Sequence, residues 1–213
     1  MTPTETAAPD AARRSALRRA VLWVAGLNLA YMVAELLVAF AIGSVSLAAD
    51  GVDFFEDFAV NLLIAVALGW SAARQATVGR VLAGIILLPA VAALVMAVLK
   101  AGDPEPPAAG PLFWTALGAI AVNLVCTVIL ARFRSDAGSL TAAAYLAARN
   151  DLVAGAAILV LAGVTRWTGS GWPDILLGIG LVLLNGAAAR EVWEKAGEER
   201  LAERALEGEF DDD

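Results

Sequence analysis

Histidine is absent from these 213 residues, and cysteine occurs once, at Cys126. One thiol rules out a disulfide within the chain, and no zinc-finger spacing exists. Cys126 itself reads as a small buried residue of an apolar helix. Charge is scarce as well. Asp, Glu, Lys and Arg make up 17% of the chain, against about 25% in a soluble domain. Ten-residue segments of alternating hydrophobicity are missing, which argues against a membrane β-barrel. No recognisable catalytic motif occurs. Neither enzymatic activity nor a nucleic-acid partner is expected.

What fills the chain is apolar. Hydrophobic residues are 60% of it, and the mean hydropathy is +0.72. They fall into blocks near 20–43, 44–70, 81–99, 112–131, 140–164 and 172–189. A run of roughly 18 or more apolar residues matches the bilayer core. Inside lipid every backbone polar group must be satisfied within the segment, so unbroken runs become helices. The expected fold class is all-α, a six-helix transmembrane bundle over 17–190. The first block is too long for the apolar region of a signal peptide, and a second follows at once. Residues 1–16 are expected to be a disordered cytoplasmic N-terminus, and 191–213 an acidic cytoplasmic tail. From Arg190 onward there are four basic and ten acidic residues, which accounts for −6 of the net charge of −7.

Lys and Arg set the orientation. Arg13, Arg14, Arg18 and Arg19 precede the first block, Arg74 and Arg80 follow the second, and Arg132 and Arg134 follow the fourth. Arg190, Lys195, Arg200 and Arg204 follow the sixth, whereas the other side holds only Lys100 and Arg166. The positive-inside rule therefore predicts a multi-pass protein of the cell (inner) membrane with both termini cytoplasmic.

Ionisable residues do not belong in such helices unless they act. Asp50, Asp53 and Asp57 in SVSLAADGVDFFEDFAVNLL are spaced three and four apart and share one helical face. Glu56 and Asn61 flank that face. Counted from Ser44, Asp53 and Asp57 lie roughly 14 and 20 Å deep, and Asp151, counted from Leu140, roughly 17 Å. Three carboxylates at one level must take up protons or a cation. Competition between the two for the same oxygens is the basis of proton-coupled cation transport. For Asn28, Glu35, Asn123 and Asn185 the alternative is a hydrogen bond to a neighbouring helix. For Asp50 it is a solvated position near the outer surface. Arg149 points about 200° away from Asp151, towards an acid such as Glu56 or towards the cytoplasm.

Asn28, Glu35, GSVSLAADGVDFFED (Gly43 to Asp57) and ARND-x-x-A-G (Ala148 to Gly155) together resemble the cation diffusion facilitator family. The resemblance covers about Leu17 to Ala189. It implies six transmembrane helices, a homodimer, and exchange of cytoplasmic divalent metal for protons. It also implies a metal site built from a [H/D]-x-x-x-D pair on helix 2 and another on helix 5. Asp53 and Asp57 match the first pair, and Asp151 matches the second member of the other. The remaining position is Ala147, so Asn150 or water is expected to complete the shell. The family's ferredoxin-like cytoplasmic domain and its His-rich loop have no counterpart in this reading.

The implied partners are the lipid bilayer, a second copy of the chain and a transported divalent cation such as zinc, cobalt, cadmium or manganese, with protons as counter-ion. No resident cofactor is expected. All-oxygen ligands favour manganese or magnesium, whereas the resemblance favours zinc, cobalt or cadmium. A second reading is a non-transporting scaffold or metal sensor of the same fold, suggested by Ala147. A membrane enzyme using paired aspartates as acid and base ranks third.

Overall fold

The computed structural model describes residues 3–67, 90–133 and 138–183. Six helices follow one another: α1 (Pro3–Ile42), α2 (Val45–Ala67), α3 (Ala90–Ala101), α4 (Ala109–Ala131), α5 (Gly138–Thr168) and α6 (Trp172–Leu183). No strand occurs among the described residues. The fold is an all-α membrane bundle.

Turn chemistry makes the first hairpin tight. Gly43 takes φ +64°, a left-handed conformation that costs a Cβ-bearing residue about 1–2 kcal/mol. This lets the Ser44 N–H reach back to the Ala39 carbonyl at 2.9 Å, the cross-bond that closes a Schellman end. Val45 then opens α2 at once. Pro104, Pro106 and Pro107 keep the link between α3 and α4 irregular.

Three connections meet at one end of the bundle. Lys100 donates to the Gly43 carbonyl and to Asp174, and the Gly171 N–H donates to the Pro104 carbonyl at 2.9 Å. The α1–α2, α3–α4 and α5–α6 links therefore share this end, and successive helices alternate in direction. α1 packs chiefly on α2, and α4 on α5. The two hairpins meet through α1 with α4 and α2 with α5.

The interior is layered. Near the shared loop end Ala39, Leu47, Ala48, Leu112, Ala116, Ile158 and Leu161 form one apolar cluster. Towards the other end Leu17, Val21, Val24, Ile64, Cys126, Leu130 and Ala148 form a second. Along α1, α2, α4 and α5 buried or half-buried polar residues fall between these clusters: Asn28 and Glu35, Asp50 to Asn61, Asn123, and Asp151. Small alanines make up half of the first cluster and let the helix backbones approach closely there.

Outside, the bundle is greasy. Trp23, Leu37, Val98, Trp114, Val153 and Val160 are all exposed, and Trp167 is 86% exposed. A soluble protein would not leave such a surface bare, whereas lipid covers it. Trp114, Trp167 and Trp172 cluster near the loop end, as interfacial tryptophans do. Three helical stretches are long and apolar enough to cross a membrane by composition: Ala12–Ile42, Ala109–Ala131 and Ala147–Thr168. α2 is long enough but carries Asp50, Asp53, Glu56 and Asp57.

Two expectations need correcting. α1 begins at Pro3, so most of the stretch expected to be disordered is helical. Thr4 to Ala16 is rich in alanine and arginine, both strong helix formers, and Pro3 occupies the first helical position, where its missing N–H costs nothing. α3, α4 and α5 also run past their apolar blocks, to Ala101, from Ala109 and over Gly138–Thr168, because propensity continues past the lipid-facing residues. The arginines at 74, 80 and 134, Asn185 and the acidic tail lie outside the described residues.

Candidate functional site

α2 brings its acids inward because its other positions are needed elsewhere. Asp50, Asp53, Asp57 and Asn61 recur at helical spacing and are buried, while Phe55, Glu56 and Phe58 are only half-buried. Phe55 and Phe58 stack with ring centroids 6.0 Å apart. Asp53 and Asp57 are 9% and 7% exposed, deep in a bundle where an isolated carboxylate costs several kcal/mol.

Asp57 is the best-supported of the acids. Asn28 of α1 donates its amide to Asp57 Oδ2 at 3.4 Å, and the Asn28 carbonyl lies 3.6 Å from the Cys126 thiol of α4. Asn61 donates to the Asp57 backbone carbonyl at 2.8 Å, leaving its own Oδ1 buried without a partner. Asn28 thus contacts the carboxylate itself and is held in turn by Cys126 of α4. On α5, Asp151 is half-buried and near enough for its charge to act on Asp53 and Asp57.

Asp53, Asp57 and Asp151 thus occupy one polar layer. Asn150 does not join them. It is exposed on α5, because the step of about 100° from Asp151 turns it out of the bundle. Arg149 is also exposed. Ala147 is half-buried and brings no ligand atom. Among the described residues, no three His, Cys, Asp or Glu side chains stand close enough together to hold a metal ion between them. What the arrangement offers is an open set of carboxylate oxygens from α2 and α5, with Asn28 and Asn61 amides beside it.

Other polar positions resolve individually. Asn28 makes the interhelical bond that was its alternative reading. Glu35 and Asn123 Oδ1 have no such partner. Asp50 is not solvated: it is 1% exposed. The first turns of α2 are covered by α3 and α6, where Val45 packs with Ala97 and Ile175.

Asp174 was missed by the sequence reading. Fully buried, it accepts the Ser44 hydroxyl at 2.7 Å, the Ser46 hydroxyl at 2.6 Å, the Val45 and Ser46 amides at 2.8 and 3.2 Å, and Lys100 Nζ at 2.9 Å. An acid on the first amides of α2 also complements that helix's dipole. The available signal was a Ser-x-Ser opening one helix, an acid just after Trp172 and Pro173, and a lysine in a loop otherwise nearly bare of cations. Asp174 fixes the start of the helix that carries the acids.

An apolar helical bundle with a buried layer of carboxylates defines a membrane protein built to handle cations. Residues 21–198 match the cation efflux transmembrane domain family, and the chain belongs to that family of cation transporters. No curated protein matches it.

Proposed function

We propose that this protein exports divalent metal ions from the cytoplasm in exchange for protons, using Asp53, Asp57 and Asp151 as the transport ligands. The observation that carries this reading is the burial of Asp53 and Asp57 beside Asp151 in a layer sealed above and below by apolar clusters. A scaffold has no use for three acids there, and each is costly to keep. An incoming cation replaces the protons that neutralise the aspartates, and protons arriving from the other side release it.

The donor atoms are oxygens. Water fills the place left by Ala147. The chemistry suits manganese, while family membership keeps zinc, cobalt and cadmium as candidates. The working protein is a homodimer with both termini cytoplasmic.

A second reading has its own support. Ala147 supplies no ligand, Asn150 faces outward, and no closed cage forms. These features suit a metal sensor or scaffold that kept the fold without carrying ions. Proton movement in proteoliposomes, driven in turn by manganese, zinc, cobalt and cadmium gradients, separates the two. An exchanger gives metal-dependent proton counter-flow with at least one ion. A sensor or scaffold gives none with any, even where metal binds.

A further inference from the structure

Glu35 of α1 and Asp50 of α2 are 0% and 1% exposed. All four of their carboxyl oxygens are buried without a hydrogen-bond donor. Glu35 reaches this level of α2, its Cγ lying 3.9 Å from where a Cβ on Gly51 would stand, and it faces Asp50 across the α1–α2 interface. Close approach is possible there because position 51 is glycine: a Cβ would fall 2.7 Å from the Leu36 side chain.

The surroundings decide what such a pair can hold. From α1, Tyr31 is near both acids, but its hydroxyl donates to the Thr115 carbonyl of α4 and its ring packs on Phe54. From α2 and α5 the charged groups acting here are Asp53 and Asp151, both acidic. α4 offers no acid or base at this level; its Cys126 lies deeper, beside Asn28. Lys100 and Asp174, nearer the loop end, are occupied with each other. Among the described residues no cation offsets the pair.

A divalent ion requires four or more donor atoms, and beside the pair stand the Leu36 side chain and Gly51, with Asp53 the further acid acting on Glu35. A proton needs only two oxygens. Two carboxyl groups that share one proton satisfy each other and halve the buried charge, as in paired-aspartate sites. We propose that Glu35 and Asp50 form a separate proton-binding pair, holding one shared proton in a pocket that the transported metal does not occupy. Its use as the carrier of counter-flowing protons rests on the exchange reading above; its existence does not.

Infrared spectroscopy of the full chain in lipid nanodiscs at neutral pH, without metal, tests the pair. Wild type should show, beside the absorption of the protonated transport aspartates, a distinct protonated-carboxyl C=O component that shifts in heavy water. E35Q and D50N should each lose it, D53N should keep it, and the swapped E35D/D50E protein should restore it. The swap keeps the test decisive if a single variant folds poorly. An unchanged band in both E35Q and D50N overturns the proposal, as does loss of the band on adding zinc or manganese to D57N protein, which would place metal at the pair. In proteoliposomes E35Q should keep metal binding but lose the dependence of metal movement on the pH gradient. Retained dependence there removes the counter-ion role alone, whereas unimpaired flux in D57N removes the exchange reading and leaves the infrared result standing.

Discussion

Replacing Asp174 with alanine removes one acceptor that five donors share. The Lys100–Asp174 pair is 10% and 0% exposed, so the lysine left behind is a largely buried charge with no counter-ion, keeping only the Gly43 carbonyl. Breaking a buried pair from one side costs about 3–5 kcal/mol. The Ser44 and Ser46 hydroxyls and the Val45 and Ser46 amides lose their acceptor too, at about 1–3 kcal/mol for a group left unsatisfied. These costs overlap because the groups share one partner, so the lower bound of about 3 kcal/mol is the safer figure. For a chain of this size, that corresponds to a fall of roughly 6–12 °C in melting temperature. Cys126 provides the assay. It is the single cysteine and fully buried, so a thiol-reactive dye reports unfolding of detergent-solubilised protein directly. Asp174→Asn combined with Lys100→Met, which removes both charges, should melt above Asp174→Ala. A melting temperature for Asp174→Ala within about 2 °C of wild type, under 1 kcal/mol at this size, would refute the claim that this carboxylate anchors α2.

Further outcomes follow from the same geometry. Gly43→Val forces a β-branched residue into a left-handed position and should cost at least about 1–2 kcal/mol, read as a lower dye-reactivity midpoint. Ala147→Asp should tighten manganese and zinc binding in isothermal titration, and Ala147→His should favour zinc; unchanged affinity in both would show that position 147 does not face the site. Reporter fusions at Gly110 and at the C-terminus should lie on opposite sides of the membrane, the latter cytoplasmic. Both on one side would contradict the orientation.

Much of this architecture was legible in the residues. Continuous apolar runs can only become helices in lipid, and the three-and-four spacing of Asp50, Asp53 and Asp57 fixed their common face. Asn28 was readable as an interhelical bridge because an amide in lipid must find a partner. The failures share a cause: a count along one helix gives depth but says nothing of what covers it. Asp50 counted as near the surface, yet α3 and α6 close over the first turns of α2. Asp174 was passed over because its partners, Ser44, Ser46 and Lys100, come from distant parts of the chain. Asn150 was chosen for its chemistry although its angle on the helix put it outside.

The account stands or falls on Asp57, the carboxylate gripped by Asn28 and backed by Asn61. Proteoliposomes loaded with a pH-sensitive dye and given a metal gradient measure it directly. Wild-type protein should move protons against the metal flow. Asp57→Asn, which keeps the shape but removes the charge and the proton acceptor, should abolish that movement while the protein stays folded by the Cys126 assay. Equal proton flux from folded Asp57→Asn protein would contradict the claim that this layer of aspartates is the transport site.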